Sequence, residues 1–599
     1  MERDLIQIEG MWMRMENWVI KNKKSDFNRI MSECGVSEVL ARCLVNRGYE
    51  EAEEIRGYLY PGTSQLHDPF LMKDMEKACG ILKNKIKEGH RIRIIGDYDV
   101  DGVVSTYLLY RTLNMLGANV DYDIPDRMKD GYGINIRMVE AAREAGVDTL
   151  LTCDNGIVAM DQILAAKRYG MTVIVTDHHS LVQLEGGDIL LPEADAILNP
   201  KQPECNYPFE GLCGAAITLK LSQALLKVME IPDKEEYLKE LISYTAIATV
   251  CDVMELVSEN RIIVKYGLEL LKKTQNKGLL ALMEISQIQI EQLSTFHLGF
   301  VIGPCLNASG RLDTAKRGLE LLLATDDTEA GKLAEEVRSL NEVRKDMTSE
   351  NVEKAVRLIE EGTYRQDKIL VIYLQECHES IAGIIAGRIR ERYHRPTIIL
   401  TDSEEGIKGS ARSIEQYNMI EGLSKQRELL SKVGGHPMAA GLSLMPQNIE
   451  PLRRKLNETT ELTEDMLVPK VTIDVQLPLG FLTEELVNEL KLLEPFGKGN
   501  EKPLFAEKDL KIKSVFVIGK NASGLRFLLE NPYGRQLEAV YFGDVEAFFR
   551  YIADTYGEQE AQKLKTGRGT EIEITVTYFP KINEYNGFKK IQLMIQNYR

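Results

Sequence analysis

The chain has 599 residues, a length that suggests about four domains, each able to bury a core. Its net charge of −17 excludes a protein coated in basic surface, which is the usual form of a shallow, non-specific DNA binder. No apolar run is long enough to span a bilayer, and the charged start MERDLIQIEGMWMRMENW is unlike a signal peptide, so no membrane partner is expected.

The first elements predicted along the chain are a small helical lead-in at residues 1–75 and an α/β domain at residues 76–325. Apolar runs rich in β-branched residues are typical of buried parallel strands. These runs are Ile92–Ile95, Thr149–Thr152 and Val173–Thr176. The helix-like segments between them are Val104–Leu116 and Met160–Arg168. The alternation of strand and helix predicts a doubly wound parallel sheet.

A long helix is predicted next, because Thr328–Gly362 is almost free of proline and glycine and rich in Glu, Lys, Arg and Leu at helical spacing. We assign residues 326–363 to this connecting helix. Residues 364–460 form a second, smaller α/β domain, with strands near Lys368–Leu374 and Thr397–Thr401. The predicted fold class is therefore α/β, with two domains joined by one helix.

From Val468 onward the chain changes to short strands separated by glycine and asparagine turns, which predicts a small β-barrel compatible with an OB-fold in residues 461–599. The predicted strands are Val471–Val475, Lys511–Val517, Leu525–Leu529, Leu537–Tyr541, Glu571–Tyr578 and Lys590–Gln596. Aromatic side chains in such strands either stack on bases or fill the core, and the pattern leaves both interpretations open. The residues concerned are Phe516, Phe527, Tyr541, Phe542 and Tyr578.

Acids and histidines stand where the strands of the first α/β domain end. The stretches are GDYDVDG (96–102), CDNG (153–156) and TDHH (176–179), and a fourth, CDVME (251–255), follows the buried helix Tyr244–Val250. Because parallel strands all end on one edge of a sheet, these side chains should converge there. They are Asp97, Asp99, Asp101, Asp154, Asp177, His178 and His179, joined by Asp252 from the fourth stretch.

Converging carboxylates repel one another and persist only if protons or a cation neutralise them. A site of carboxylates with one or two imidazoles suits manganese or magnesium better than a structural zinc. A single acid at a strand end is more often a turn former or a helix cap. Three such clusters in one α/β unit, together with Asp252, predict a metal site.

The four acidic stretches resemble the signature motifs of the DHH phosphoesterase superfamily, which takes its name from the third. Further stretches resemble the RecJ family of bacterial single-strand-specific exonucleases within it. They are IPDRMKDGYGIN (124–135), CLNASGRLDTA (305–315), ECHESIAGIIAGRIRERYHRP (376–396), GIKGSARS (406–413), GGHPMAAG (434–441) and LEPFGKGNEKPLF (493–505). The resembling motifs run from about residue 57 to residue 505. They imply a DHH catalytic domain, a DHHA1 domain facing it across the active site, and a C-terminal OB-fold.

The resemblance also implies two ions, Mn²⁺ or Mg²⁺, held at the four motifs. The implied metal ligands are Asp99, Asp101, Asp154, His178 and Asp252, which together with His179 are the implied catalytic residues. Asp154 matches the carboxylate that bridges two ions in the family. Many small DHH enzymes have a histidine where this chain has Ile95, so one site is weaker, is completed by Asp97, or stays empty until substrate arrives. His179 either donates a hydrogen bond to the scissile phosphate or orients His178.

Substrate-binding residues are implied by the later motifs, in which Arg311 follows the small, turn-prone residues 307–310. The 5′ end of the strand would be bound by Arg127, Arg311, Ser410 and Arg412. The cleft would be lined by His378 and His436. Gly434, Gly435 and His436 would form a GGH loop whose backbone donors suit an oxyanion. The alternative for any single arginine is an ordinary salt bridge. The family has a tryptophan before His378 and a glycine two residues after it, whereas this chain has Cys377 and Ser380, which weakens the case for base stacking there.

The implied function is a metal-dependent exonuclease that hydrolyses single-stranded DNA from its 5′ end to 5′-mononucleotides, in DNA repair and recombination. A single-strand-binding protein and a helicase are candidate partners, and RNA tolerance is left open. Nine cysteines without a C-x-x-C pair fit a reducing cytoplasm. One alternative is a phosphodiesterase for dinucleotides or very short RNA, which the C-terminal barrel disfavours. The other is a binding protein that has lost catalysis, which the complete set of implied ligands disfavours.

Overall fold

The computed structural model of the chain describes residues 16–127, 129–184, 186–232, 234–403, 406–519, 522–567, 570–585 and 587–599. The charged start of the predicted lead-in, residues 1–15, lies outside the described residues. The described chain falls into two units. The larger comprises Gly62–Leu462 with Pro495–Asn500, and the smaller comprises the residues up to Pro61, Thr463–Glu494 and Glu501–Arg599.

The helices and strands are numbered in chain order. The strands are β1 (Asn17–Ile20), β2 (Arg91–Ile95), β3 (Asn119–Asp123), β4 (Thr149–Cys153), β5 (Thr172–Thr176), β6 (Val182–Gln183), β7 (Ile189–Leu190), β8 (Ala196–Leu198), β9 (Leu370–Tyr373), β10 (Thr397–Ser403), β11 (Gly406–Arg412), β12 (Leu430–His436), β13 (Ala439–Leu444), β14 (Lys470–Ile473), β15 (Val475–Gln476), β16 (Phe505–Ile518), β17 (Gly524–Glu530), β18 (Gln536–Tyr541), β19 (Glu573–Tyr585) and β20 (Phe588–Tyr598). The helices are α1 (Phe27–Cys34), α2 (Glu38–Asn46), α3 (Ala52–Leu59), α4 (Met75–Lys87), α5 (Val100–Met115), α6 (Ile136–Glu144), α7 (Met160–Arg168), α8 (Gly214–Val228), α9 (Lys234–Cys251), α10 (Ser258–Leu271), α11 (Lys277–Ile285), α12 (Thr295–His297), α13 (Gly303–Leu312), α14 (Lys316–Leu323), α15 (Asp327–Glu361), α16 (Glu379–Tyr393), α17 (Met419–Ser424), α18 (Ile449–Thr459), α19 (Glu484–Leu490), α20 (Val545–Tyr556) and α21 (Glu558–Lys565).

The larger unit contains the predicted parallel sheet, with five strands in the order β3-β2-β4-β5-β8. Both of its faces are buried, because Leu151 and Ile174 belong to one apolar cluster while the adjacent Leu150 and Val175 belong to another. A strand that is buried on both faces needs apolar residues throughout, which explains the continuous runs in β2, β4 and β5. The prediction of α/β fold class is confirmed.

Two elements of this domain are absent from the predicted succession. Strand β3 and helix α6 lie between α5 and β4. Strand β3 is at the edge of the sheet and reads NVDYD, with polar residues in alternation, so it has no continuous apolar run to signal it. Helix α5 begins at Val100 and not at Val104, because the Asp99 side chain caps it by accepting hydrogen bonds from the backbone N–H groups of Asp101 and Gly102.

The connecting helix α15 has 35 residues, and its start at Asp327 is fixed by the cap residue Asp326. The second sheet has the order β12-β13-β11-β10-β9, in which only β9 and β10 are parallel neighbours. Helix α16 packs on β10 and β11 and also on α15. The DHH-like and DHHA1-like parts of the larger unit are thereby held together through α13, α15 and α16.

Two local expectations of the sequence analysis are wrong. The small residues 307–310 were expected to form a turn, but they belong to helix α13, where Ala308 and Ser309 are buried and a Cβ at Gly310 would lie 2.5 Å from the backbone oxygen of Tyr98. Small side chains here allow close packing and not a turn. The expected GGH loop is the end of strand β12, where Gly434, Gly435 and His436 pair with β13.

In the smaller unit the sheet order is β15-β16-β17-β18-β20-β19, and β16 also pairs with β19, which closes the predicted barrel. Helices α20 and α21, between β18 and β19, were not predicted. The structure separates the aromatic candidates: Phe527 and Tyr578 are core residues, whereas Phe516 and Phe542 are exposed. Tyr541 is half-buried. Among the helices of the described residues, none is long and apolar enough to cross a membrane.

Candidate active site

Side chains from four stretches of the larger unit meet beyond the carboxyl ends of β2, β4 and β5. His178 Nε2 lies 3.2 Å from Asp154 Oδ1, and 3.7 Å from both Asp101 Oδ2 and Asp252 Oδ2. The described residues contain groups of three side chains whose ligand atoms all lie within 4.8 Å of one another. These groups are Asp97 with Asp99 and Asp154, Asp101 with His178 and Asp252, and Asp154 with His178 and His179. The structure therefore brings all five implied metal ligands together, with Asp154 shared between groups.

Backbone N–H groups at helix starts hold these carboxylates. Asp99 Oδ1 accepts hydrogen bonds at the start of α5 from Asp101 N (2.9 Å) and Gly102 N (3.1 Å). The carboxylate of Asp101 accepts hydrogen bonds at the start of α8 from Gly214 N (2.6 Å) and Ala215 N (2.8 Å). Such helix starts stabilise negative charge. The sequence analysis missed Gly214, and a Cβ there would lie 2.7 Å from Asp154 Cβ.

Burial and mutual repulsion disfavour the ionised form of these carboxyl groups. Burial raises the pKa of Asp154 well above its ordinary value, and Asp101, Asp99 and Asp97 add to the shift. Burial and then neighbouring carboxylates also raise the pKa of Asp97 and of Asp252. Burial lowers the pKa of His178 to about 4, so its ring is neutral at pH 7 and can act as a ligand.

The donor set fits two divalent cations. Asp97 Oδ2 and Asp154 Oδ1 are buried without a hydrogen-bond partner among the described residues, and the nearest cationic-capable group to the second oxygen is His178 Nε2 at 3.2 Å. Partnerless buried oxygens are costly, and a cation would satisfy both. Asp97, Asp99 and Asp154 offer only oxygen atoms, as Mg²⁺ and Mn²⁺ prefer, while His178 adds an imidazole to the second group. Asp97 is therefore close enough to Asp99 and Asp154 to share an ion with them.

Backbone strain is stored at the same site. Asp154 has φ 61° and Val253, which follows Asp252, has φ 56°. Left-handed backbone is uncommon for any residue with a side chain, and for a β-branched valine it is a clear outlier. Each such residue costs about 1–3 kcal/mol and persists where the surrounding structure requires it. The strain lies in the two turns that carry Asp154 and Asp252, as is common at functional sites.

His179 is held by residues that the sequence analysis did not assign a role. Its Nδ1 lies 2.7 Å from Asp177 Oδ1, and Asp177 also accepts hydrogen bonds from the backbone N–H groups of His178, His179 and Ile157. The Tyr132 hydroxyl donates to Asp154 O (2.8 Å) and lies 3.0 Å from His179 Nδ1 and 3.3 Å from Nε2. Although burial opposes it, the contact with Asp177 raises the pKa of His179 to about 9. Asp177 is therefore an orienting group for His179.

The loop after β8 fixes the backbone of the two histidines. Lys201 Nζ donates to His178 O at 2.5 Å, and Asn199 Nδ2 donates to His179 O at 3.0 Å. Asn199 Oδ1 in turn accepts from the backbone N–H of Lys201. No sequence motif marked these residues, since the NPK stretch that holds them follows a short strand without an acid at its end.

Beside the acidic cluster lies a cavity of about 220 Å³ between the two α/β parts of the larger unit. Arg127 and Ser410 line it together with Tyr98, Ser380, Glu379 and Lys408. The guanidinium of Arg127 lies 4.7 Å over the Tyr98 ring, and Arg311 Nη1 donates to Ser380 O at 2.5 Å. A Cβ at Gly383 would lie 2.8 Å from Ser410 Oγ and 3.0 Å from Arg412 Nη2, so α16 passes close to these side chains. Arg127 and Ser410 thus line the cavity, while Arg311 contacts the lining residue Ser380 and Arg412 lies near Ser410.

The remaining implied residues have other surroundings. His378 caps α16, where its Nδ1 accepts a hydrogen bond from Ser380 N and lies 2.7 Å from Ser380 Oγ. Gly434, Gly435 and His436 are exposed on β12, an edge strand of the second sheet, and do not line the cavity.

Three family models match the chain. They are the DHH family N-terminal domain at residues 91–249, the DHHA1 domain at 366–461 and the RecJ OB domain at 473–597. The single-stranded-DNA-specific exonuclease RecJ of Bacillus subtilis is 36% identical over 97% of this chain and 70% of its own length.

Solved structures of RecJ from Thermus thermophilus are also similar. The Mn²⁺ complex has a TM-score of 0.79 at 25% identity, over 98% of this chain and 80% of that one. The Mg²⁺ complex has a TM-score of 0.74 at 25% identity, over 97% and 78%. With its DHH, DHHA1 and OB domains in this order, the chain belongs to the RecJ family.

Proposed function

We propose that this protein is a metal-dependent exonuclease that hydrolyses single-stranded DNA from the 5′ end to 5′-mononucleotides. One observation carries the proposal: a cluster of acids and histidines fit for two divalent ions adjoins a cleft lined by Arg127, Lys408 and Ser410, in a single unit of the chain. Mn²⁺ and Mg²⁺ are the proposed ions, supported by the complexes of the Thermus relative.

The proposed mechanism divides the work among residues of this cleft. Bound divalent ions would make water a better nucleophile and offset charge on the phosphate. The ions would be held by Asp99, Asp101, Asp154, His178 and Asp252, with Asp97 as a further proposed ligand.

The other residues act on the strand. The terminal phosphate is bound through charge-assisted hydrogen bonds by Arg127, Arg311, Ser410 and Arg412. This binding fixes the distance from the strand end to the scissile bond. His179, oriented by Asp177 and Tyr132, donates a hydrogen bond to a phosphate oxygen, which is the first of the two roles left open above.

The first test is digestion of a 5′-phosphorylated single strand, labelled at either end, with Mn²⁺, Mg²⁺ or chelator. We expect mononucleotides to appear early from the 5′-labelled strand, only with metal, and none from blunt duplex. Asp154→Asn should lower the rate by more than the roughly 10- to 100-fold typical of groups outside the first coordination sphere, while strand binding remains. If only dinucleotides or short RNA were cleaved, the protein would be a phosphodiesterase for those substrates and this proposal would be wrong. Unchanged cleavage by Asp154→Asn would contradict the proposed mechanism.

We further propose that the smaller unit contributes to strand binding through exposed aromatics. Phe516 is 49% exposed on β16, with the guanidinium of Arg526 at 5.6 Å from its ring, and Phe542 is 63% exposed after β18. An exposed ring beside a cation is the usual stacking platform for bases.

The cellular setting is proposed on the family resemblance. It comprises a cytoplasmic location, a role in repair and recombination, and a helicase and a single-strand-binding protein that expose and deliver strands.

The proposed functional domains are 1–75, 76–325, 326–363, 364–460 and 461–599. The matches at 91–249 and 473–597 support the second and the last.

A further inference from the structure

Four arginines lie on α13, α15, α16 and β11, which pack in series, and Arg127 neighbours the one on α13. Three of these five arginines were assigned above to the terminal phosphate. The other two are Arg344 on the connecting helix α15 and Arg388 on α16. Helix α15 packs against both α13 and α16, which carry or contact the terminal-phosphate residues. No function has been assigned to Arg344 or Arg388 so far.

None of these five arginines has a carboxylate within ion-pair distance among the described residues, although the chain as a whole is acidic. No described ion pair involves Arg127, Arg311, Arg344, Arg388 or Arg412. The nearby Glu342 is already paired with Lys345 at 2.9 Å. Guanidinium groups that lie near one another repel, and a bound anion relieves the repulsion.

Arg344 is held in place for such an anion. Its Nε donates to Asn341 Oδ1 at 3.1 Å, and Asn341 Nδ2 donates to Cys305 Sγ on α13 at 3.4 Å. This fixes the side chain but leaves its two terminal nitrogens for a ligand. Arg388 is exposed on α16, so the pair opens towards solvent.

The electrostatics agree with this geometry. Burial and the neighbouring guanidiniums of Arg127 and Arg344 lower the pKa of Arg311 to about 10. Burial and then Arg388 lower the pKa of Arg344. Arg344 is thus the link between the proposed terminal-phosphate residues and Arg388.

We propose that Arg344 and Arg388 form a subsite for a second phosphate, adjacent to the site of the terminal one. The proposal rests on the proposed function, because it takes a nucleic acid strand as the ligand. The second phosphate has two possible sources with the same chemistry. It is either the β-phosphate of a 5′-di- or triphosphorylated end or an internucleotide phosphate of the strand.

The test measures binding of strands of one sequence that carry a 5′-hydroxyl, a 5′-monophosphate or a 5′-triphosphate, by fluorescence anisotropy in chelator. We expect the double variant Arg344→Gln/Arg388→Gln to bind at least one of them about tenfold more weakly, as loss of charge-assisted hydrogen bonds predicts. A loss confined to the triphosphate strand assigns the subsite to the 5′ end. An equal loss for all strands assigns it to an internucleotide phosphate.

Arg357→Gln is the matched control, because Arg357 is an exposed arginine on the same helix α15. If the double variant binds every strand as tightly as the control does, the subsite does not exist. Arg344→Lys/Arg388→Lys, which keeps both charges, should lose less than the glutamine variant, and an equal loss at an unchanged melting temperature would also overturn the proposal. Since no cleavage is needed, an inactive wild-type protein would overturn the proposed nuclease function alone.

Discussion

At the scale of single residues, Tyr132 shows how much of the site depends on groups that touch no metal ligand atom directly. Its hydroxyl joins the backbone of Asp154 to the ring of His179, and its own ring lies edge-on to those of His179 and Tyr98. A tyrosine in a glycine-rich loop carries no signal of this kind in a single sequence. The motif DRMKDGYG drew attention to Arg127, while the tyrosine five residues later holds the histidine.

We predict that Tyr132→Phe lowers kcat on single-stranded DNA by roughly tenfold, the low end of the effect of groups that orient catalytic side chains. KM should change little, because the ring remains and the phosphate-binding arginines are untouched. Steady-state kinetics separates the two parameters. Tyr169→Phe, at a partly exposed tyrosine on the far end of α7, is the control and should leave both unchanged. A rise in KM with unchanged kcat would show that Tyr132 binds substrate and does not position His179.

At the scale of elements, helix α8 contributes both to the site and to the core. Its first turn binds Asp101, and its middle carries the buried Lys220. Lys220 Nζ donates to Glu259 Oε1 on α10 at 2.6 Å and to His67 O at 2.9 Å. Glu259 also accepts hydrogen bonds from the Tyr207 hydroxyl (2.5 Å) and from His67 N (2.8 Å). The ion pair is 1% exposed on both sides, so each charge depends on the other.

We predict that Glu259→Ala lowers the free energy of unfolding of the larger unit by about 3–5 kcal/mol, because it leaves the ammonium of Lys220 buried without a carboxylate. Urea denaturation followed by far-ultraviolet circular dichroism measures the loss, because most of the helices belong to the larger unit. The double variant Lys220→Met/Glu259→Leu should recover most of it, since apolar replacement of a buried pair is often neutral. If Glu259→Ala does not fold, the free energy of unfolding of the double variant still tests the prediction. A double variant as unstable as the single one would mean that the hydrogen bonds to His67 and Tyr207 matter more than the charge pair.

Elements were predictable where burial alone sets the pattern. Strands β4 and β5 and helix α7 were predicted to within one residue, because both faces of the sheet are buried and the apolar runs are continuous. The edge strand β3 was not predicted, because it needs apolar residues on only part of its surface. The turn predicted at residues 307–310 was wrong for another reason. Small side chains favour turns locally, but here they allow α13 to pack closely against Tyr98.

The same division holds for the site. The acids and histidines at strand ends were predictable because sheet topology alone brings them to one edge. The sequence did not predict the roles of Gly214, Lys201 and Asn199. These residues reach the site from loops and helix starts whose direction is set by packing against residues distant in sequence. Arg344 is one of many charged residues in a long helix, and only the neighbours supplied by α13 and α16 distinguish it.

At the scale of the whole molecule, the smaller unit joins the two ends of the chain. Strand β1 pairs in parallel with β14, from Asn17 with Lys470 to Ile20 with Ile473. Lys21 Nζ forms an ion pair with Asp474 at 3.3 Å, and the guanidinium of Arg599 lies 4.5 Å over the Trp18 ring. Contacts of such long sequence separation leave no local pattern, so the described part of the lead-in did not reveal its partner in the sequence.

The whole chain is acidic, with a net charge of −17, so strand binding should depend on a few local cations and not on the surface as a whole. On a single strand, each neutralised phosphate contributes about −0.7 to the slope of log affinity against log salt concentration. We therefore predict that Arg127→Gln and Arg412→Gln each make this slope less steep by up to about 0.7, because both side chains act on the same terminal phosphate. Arg168→Gln, at the exposed end of α7, should leave it unchanged. Titration of the chelated protein with a labelled single strand at increasing salt measures the slope, and an equal change for all three variants would mean that binding follows overall charge and not the arginines of the cleft.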